Sequence, residues 1–272
     1  MPPVPDSALF LKNYSNDSSM NITLLGTGSS TGVPQLLCDC PVCTSSDSKN
    51  RRSRFSILFS ENGTNILVDA PFESRLQLLN AKVSHIDLFW LTHPHSDHLA
   101  GIDDLRIFAF RNNISLPFYS LPEHLKTVQN KFPYLFFKNE YRNKPLFEPH
   151  PITNKTIICN NTELTPIIHH HGEMRVAGFR WKNGAFLADI SAIEQSELDK
   201  LNNLDLLIIS HTLKHKHFKH MNGEEVIALI QQIKPKRAVL THMNHNFEYN
   251  ELKESLPDGI EPGYDGMSIS LP

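Results

Sequence analysis

The chain has 272 residues, of which 40% are hydrophobic and 20% charged, with a formal net charge of −3 and fifteen His. That length allows one large domain with a substantial core, in the composition range of ordinary globular proteins. The slightly acidic balance gives no electrostatic reason to expect nucleic acid or an anionic membrane as partner, and no apolar stretch approaches the ~20 residues that cross a bilayer.

Residues 1–20 are polar and rich in Pro, Ser and Asn, without the basic and apolar regions of a secretory signal. They read as a loose or surface-packed arm ahead of a domain over 21–272. Three of the four Cys are clustered, which suits zinc better than disulfides and points to the cytosol, with the nucleus as the alternative compartment.

A strand over 21–25 runs into the glycine-rich turn 26–32. No Gly-Lys-Ser/Thr follows and the dinucleotide spacing is absent, so a plain turn and a direct substrate role both stay open. Cys38-Asp39-Cys40-Pro41-Val42-Cys43 offers three thiolates, a tetrahedral zinc set lacking one ligand. Buried or redox-active thiols are the alternative, and Cys159 or a distant His could complete the set. Cys159 lies in the apolar run 157–159 and reads as core. Arg51, Arg52 and Arg54 read as a solvated face, with a contact to a substrate phosphate left open. Strands 55–59 and 65–69 form a hairpin around Glu61-Asn62-Gly63, and a helix over 72–80 follows.

The densest chemistry is Leu91-Thr92-His93-Pro94-His95-Ser96-Asp97-His98-Leu99-Ala100-Gly101. It joins an apolar strand, 86–91, to a helix with Leu99, Ile102, Leu105 and Phe108 on one face. On extended backbone His93 and His95 point the same way, and Asp97 and His98 sit at the helix start, where the dipole favours a carboxylate. Imidazole with carboxylate suits Zn, Mn or Fe. A solvated His-rich turn is the plain alternative; four potential ligands within six residues argue against it.

Beyond it, 116–151 is rich in aromatic residues and Pro and reads as core, cover or pocket wall. Residues 164–168 lead into His169-His170-His171-Gly172; if extended, His169 and His171 share a face. A strand over 185–189 ends in Asp189, for which a surface carboxylate is the plain alternative. A helix over 193–201 and a strand over 204–210 precede a second His-rich loop carrying His211, His215, His217 and His220. Then come a helix over 223–233, with Val226, Leu229 and Ile230 apolar, and a strand from 237 that ends in His242, with His245 three residues on.

The H-x-H-x-D-H run with Leu99-Ala100-Gly101 resembles the signature of the metallo-β-lactamase superfamily of binuclear metallohydrolases. With Cys38-x-Cys40-x-x-Cys43, Asp189, His220, His242 and His245 in the same order over 21–269, the chain resembles the PhnP-type cyclic phosphodiesterases. PqqB-type proteins share a similar Cys cluster, so that cluster alone does not fix an activity. The resemblance implies an α/β fold, an αββα sandwich with a binuclear site at one edge; alternating strands and helices agree with a layered arrangement. It implies that His93, His95, His171 and Asp189 hold one divalent ion, Zn or Mn, with His169 and His170 as other registers for His171. Asp97, His98, Asp189 and His242 would hold the other. Cys38, Cys40, Cys43 and His245 would form a structural Zn site, and Asp69 would support the metal loop. His220, with His217 as rival, and Asp97 would serve catalysis.

The implied activity is hydrolysis of a small, cyclic phosphodiester, with no membrane or nucleic-acid partner and with homodimerisation by analogy. Acyl hydrolysis of a thioester or lactone is the alternative on the same centre. A tRNA 3′-processing nuclease, whose relatives use a basic, Gly-rich arm not seen here, and a non-catalytic metal-binding protein complete the set.

Overall fold

Leu88, Phe89 and Trp90 illustrate the rule that layers the molecule. Successive strand side chains face opposite ways, and all three are buried: Leu88 and Trp90 in a core between two sheets, Phe89 in a second core under helices. The same division sends Leu206 and Ile208 inward and Leu207 and Ile209 outward to a third core. The computed structural model describes residues 20–138 and 143–271, so the expected arm lies outside the described residues except for Met20.

The first half of the chain supplies β1 (Met20–Gly26), β2 (Ser56–Glu61), β3 (Thr64–Val68), β4 (Leu88–Trp90), β5 (Leu116–Ser120) and β6 (Phe147–Pro151). Its helices are α1 (Ser74–Asn80), α2 (Ser96–Leu99), α3 (Arg106–Arg111), α4 (Pro122–Lys131) and α5 (Pro133–Phe136). The second half supplies β7 (Ile157–Cys159), β8 (Thr162–His171), β9 (Met174–Trp181), β10 (Gly184–Leu187), β11 (Leu206–Ser210), β12 (Arg237–Thr241) and β13 (Ile260–Pro262). Its helices are α6 (Gln195–Leu198), α7 (Gly223–Ile233) and α8 (Tyr249–Ser255), and β14 (Ser268–Leu271) returns to pair with β1.

The sheets run β14-β1-β2-β3-β4-β5-β6 and β13-β12-β11-β10-β9-β8-β7. Each begins antiparallel and turns parallel, β3 to β6 in one and β10 to β13 in the other. Helices pack on both outer faces, giving the αββα sandwich that the sequence led us to expect. Parallel strands deliver their C-terminal loops to a common edge, where ligand sites of such sheets form. At the far side of the first sheet β6 carries Pro149 and Pro151. Among the described residues, no helix is long and apolar enough to cross a membrane.

The hairpin β2–β3 and helix α7 fall where the sequence places them; α7 starts with a capping box between Asn222 and Glu225. The helix expected after the metal loop is instead three pieces: α2, a 3-10 turn over Ile102–Leu105, and α3. The carbonyl of His98 accepts from the Ala70 amide, and the Gly101 amide donates to the Ala70 carbonyl, so the loop after β3 takes hydrogen bonds that a continuous helix would use. The apolar face survives the break, with Leu99, Ile102, Leu105 and Phe108 all buried. The helix expected over 193–201 is likewise α6 followed by a 3-10 turn.

Gly101 has no room for a side chain, since a Cβ there would run into the Pro71 carbonyl oxygen, a backbone atom that cannot step aside. Gly101→Ala is expected to destabilise the fold by about 1–3 kcal/mol and to lower Tm by several degrees in calorimetry. An unchanged Tm would show that this junction is not pinned.

Candidate metal centre

Four loops leave the C-terminal ends of parallel strands and meet at one edge. After β3 comes Asp69, after β4 the run 91–98, after β10 Asp189, and after β12 His242. Asp69, Asp189 and His242 have positive φ of 57°, 43° and 57°. Residues with side chains rarely hold this left-handed conformation, and it clusters at functional sites. Here it turns each side chain off its strand axis toward the neighbouring loops.

The side chains converge in two groups that could hold metal ions: His93, His95, His171 and Asp189, and Asp97, His98 and His242. Asp189 lies between them, with Oδ1 3.2 Å from His242 Nε2 and Oδ2 3.5 Å from His98 Nε2 and 3.6 Å from His93 Nε2. Every residue that the resemblance assigned to the two-ion site is brought together. Of the adjacent histidines, His171 joins the first group. His169 turns to the Ala188 carbonyl, and His170 faces outward near Glu194.

Behind these groups the rings of His93, His98, His171 and His242 are held by their Nδ1 atoms. The fully buried Asp69 carboxylate accepts from the Thr92 amide (2.8 Å), the Thr92 hydroxyl (2.8 Å) and His98 Nδ1–H (2.6 Å). Because the Thr92 hydroxyl donates to Asp69, its oxygen is left to accept from His93 Nδ1–H at 3.0 Å. His171 Nδ1–H donates to the Lys219 carbonyl (2.8 Å), and His242 Nδ1 shares a hydrogen bond with Thr212 (3.1 Å). Asp69 was legible in the sequence. Thr92, Thr212 and the Lys219 carbonyl were not, because a lone hydroxyl or backbone oxygen carries no spacing signal.

The electrostatics fit a cation. Burial pushes His93, His95 and His171 below the usual imidazole range, keeping them in the neutral form that ligates metals. Burial opposes ionisation of Asp97 and Asp189, yet the surrounding histidines, His98 and His242 among them, hold both below the usual carboxylate range. Asp189 Oδ1 and His220 Nδ1 are buried without a hydrogen-bond partner among the described residues. His220 stacks edge-on to His171, with ring centroids 4.5 Å apart, and burial lowers its pKa to about 4. His217, its rival, is exposed one step further out. His215 is exposed, and His211 is buried against Phe247.

Cys38, Cys40, Cys43 and His245 form a third group, with the three Sγ atoms 3.2, 3.5 and 3.7 Å from His245 Nδ1. Three sulfurs and an imidazole are the donor set of a closed tetrahedral zinc site. The Cys43 amide leads in lowering the Cys40 thiol to about 6, whereas burial raises Cys43 to about 11. Cys159 is a buried free thiol in β7, as expected of a core residue. Of the arginine run, only Arg51 is exposed as the sequence suggested. Arg52 is 1% exposed and donates to the Asn244 and Phe247 carbonyls on either side of His245, while Arg54 pairs with Glu73. In the glycine-rich turn a Cβ on Gly26 or Gly28 would collide with the backbone of Arg54 or Arg52.

Two predictions follow from this scaffold. Asp69→Asn removes an acceptor from under both Thr92 and His98 and is expected to weaken metal affinity about 10–100-fold, read by titration against a chelating dye; unaltered affinity would reject the support role. His124 and His211 are held near 4, in each case chiefly by burial, against 6.5 for a free imidazole. Protons therefore bind the unfolded chain first, and stability present above pH 6.5 is lost as pH falls toward 4. The urea midpoint should drop across that window, and less so in a His124→Gln/His211→Gln variant.

Comparison with known proteins agrees with the geometry. The family model for the beta-lactamase superfamily domain matches residues 64–243. An octanoyltransferase of Porphyromonas gingivalis is 33% identical over 263 residues, covering 93% of this chain and 52% of that protein, so the chain spans about half the length of that curated relative. Among solved structures, a diphosphatase from the PhnP family superposes with a TM-score of 0.87 at 29% identity, covering 93% of this chain and 97% of that one. Zinc-bound PqqB from Methylobacterium extorquens shares the fold, with a TM-score of 0.75 at 19% identity over 92% of this chain and 100% of that one. The chain belongs to the metallo-β-lactamase superfamily.

Proposed function

We propose that the protein is a two-metal hydrolase that cleaves a P–O bond in a small phosphodiester or diphosphate. The observation that carries this reading is the placement of Asp189 between two His- and Asp-rich groups. The likeness to a PhnP-family diphosphatase over nearly both whole chains supports the phosphoryl substrate class.

In this reading His93, His95, His171 and Asp189 hold one ion, and Asp97, His98, Asp189 and His242 hold the other. Zinc and manganese both suit such donors. Cys38, Cys40, Cys43 and His245 hold a structural zinc. Two divalent ions bound there supply Lewis acidity toward phosphoryl oxygens and acidify water. The chain's own residues do the rest. The Nδ1 contacts fix the ring planes of His93, His98, His171 and His242, so no ordering is left for the moment of reaction. His220, whose Nδ1 has no hydrogen-bond partner among the described residues, would offer an N–H to a nonbridging phosphoryl oxygen; to pass a proton to the departing oxygen it would have to enter the reaction as the imidazolium.

A second reading is acyl hydrolysis, favoured by the 33% identity to an octanoyltransferase. Metal-replete protein assayed on bis-p-nitrophenyl phosphate, 2′,3′-cyclic nucleotides, a nucleoside diphosphate and an acyl thioester separates the two. Turnover confined to the thioester would replace the phosphoryl reading with the acyl one. His220→Ala is expected to keep its metal content by elemental analysis and to lose about 10²–10⁴-fold in kcat; an unchanged kcat would reject that role.

A further inference from the structure

The loop between β11 and α7 carries Lys214-His215-Lys216-His217-Phe218-Lys219-His220, of which His220 and the Lys219 carbonyl are used above. In a chain of net charge −3 this seven-residue span holds three lysines and no acid. The lysines that form ion pairs are Lys182, Lys200 and Lys236; Lys214, Lys216 and Lys219 form none among the described residues. Lys214 has its Nζ 5.5 Å from the Phe247 ring, which leaves Lys216, exposed, and Lys219 as the cations on either side of Phe218 in the chain.

This loop is seated on the metal groups. The Lys219 carbonyl is the acceptor that fixes His171, and Lys219 and Phe218 lie 3.3 and 3.9 Å from where a Cβ on Gly172 would sit. Phe218 is 74% exposed. It is not a stray apolar residue, because its ring has the His217 ring at 4.7 Å and Lys219 Nζ at 5.7 Å. An exposed aromatic ring between two lysines in sequence, on the loop that fixes His171, is a combination that takes a stacked base and a phosphate together. Like charges at this density repel one another, and a bound anion relieves that repulsion.

We propose that residues 216–219 are a substrate-selecting arm: Lys216 and Lys219 receive a second phosphoryl group, and Phe218 stacks against a planar ring, so that the preferred substrate is a nucleoside diphosphate or a nucleotide ester of equivalent charge. The proposal rests on the phosphoryl-hydrolase reading of the centre and names the part of the substrate that the centre leaves unread.

Calorimetric titration of metal-loaded protein tests it without turnover, using three probes: α,β-methylene-ADP, AMP and methylenediphosphonate. The first carries a ring and two phosphoryl groups, the second lacks one phosphoryl group and the third lacks the ring. α,β-Methylene-ADP is expected to bind about tenfold or more tightly than either of the others, a gap near 1.4 kcal/mol. Lys216→Gln/Lys219→Gln should bring it down to the affinity of AMP. Phe218→Ala should bring it down to that of methylenediphosphonate, while Phe218→Trp retains the wild-type value. Equal binding of the three probes by the wild type, or variants that leave the first probe's affinity unchanged, would overturn the arm. Failure of the phosphoryl reading shows separately, as thioester turnover with no phosphoryl substrate cleaved.

Discussion

A carboxylate stripped of water is the constraint on which this structure turns. Removing an ionised Asp from solvent costs several kcal/mol unless hydrogen bonds and opposite charge replace the lost hydration. Asp69 meets that requirement with the Thr92 amide, the Thr92 hydroxyl and His98, which means that the loop after β4 must adopt one shape for the end of β3 to be tolerated. Asp189 poses the same demand with less protein to answer it: its Oδ1 has no hydrogen-bond partner among the described residues, and imidazoles surround it. One carboxylate therefore organises the scaffold, and the other creates a requirement for cations.

The fold meets this requirement by repetition. Two sheets, each changing from antiparallel to parallel, face one another across a core of Phe55, Phe59, Trp90, Phe179 and Phe186. The parallel ends of both arrive at one edge, so ligands far apart in sequence meet without long excursions. Left-handed backbone at Asp69, Asp189 and His242 costs about 1–3 kcal/mol at each position and is held by rigid strands on the N-terminal side of each. Arg52, buried between Asn244 and Phe247, extends that rigidity to the cysteine loop.

Much of this was legible in the sequence because metal ligands are costly residues in recognisable places. Four in six positions after an apolar strand leave little alternative, and the two further strands ending in Asp189 and His242 repeat the signal. The register at His169, His170 and His171 was not settled by alternation, since two of the three share a face; packing of His169 onto the Ala188 carbonyl decides it. The broken helix after His98 escaped notice because its apolar period is continuous, while the backbone bonds that interrupt it come from residue 70. Arg52 was misread because a run of charge resembles a wet surface, and only the fold shows carbonyls waiting for one of its members.

The prolines of β6 have a bearing on how copies of this chain can associate. An outermost strand normally offers a row of free amides to any extended segment that approaches. Pro149 and Pro151 lack that hydrogen, and β6 forms one end of the first sheet, with its other flank on β5. At the opposite end of the second sheet β13 spans three residues and closes on Pro262. These two margins resist strand-by-strand extension into a neighbour.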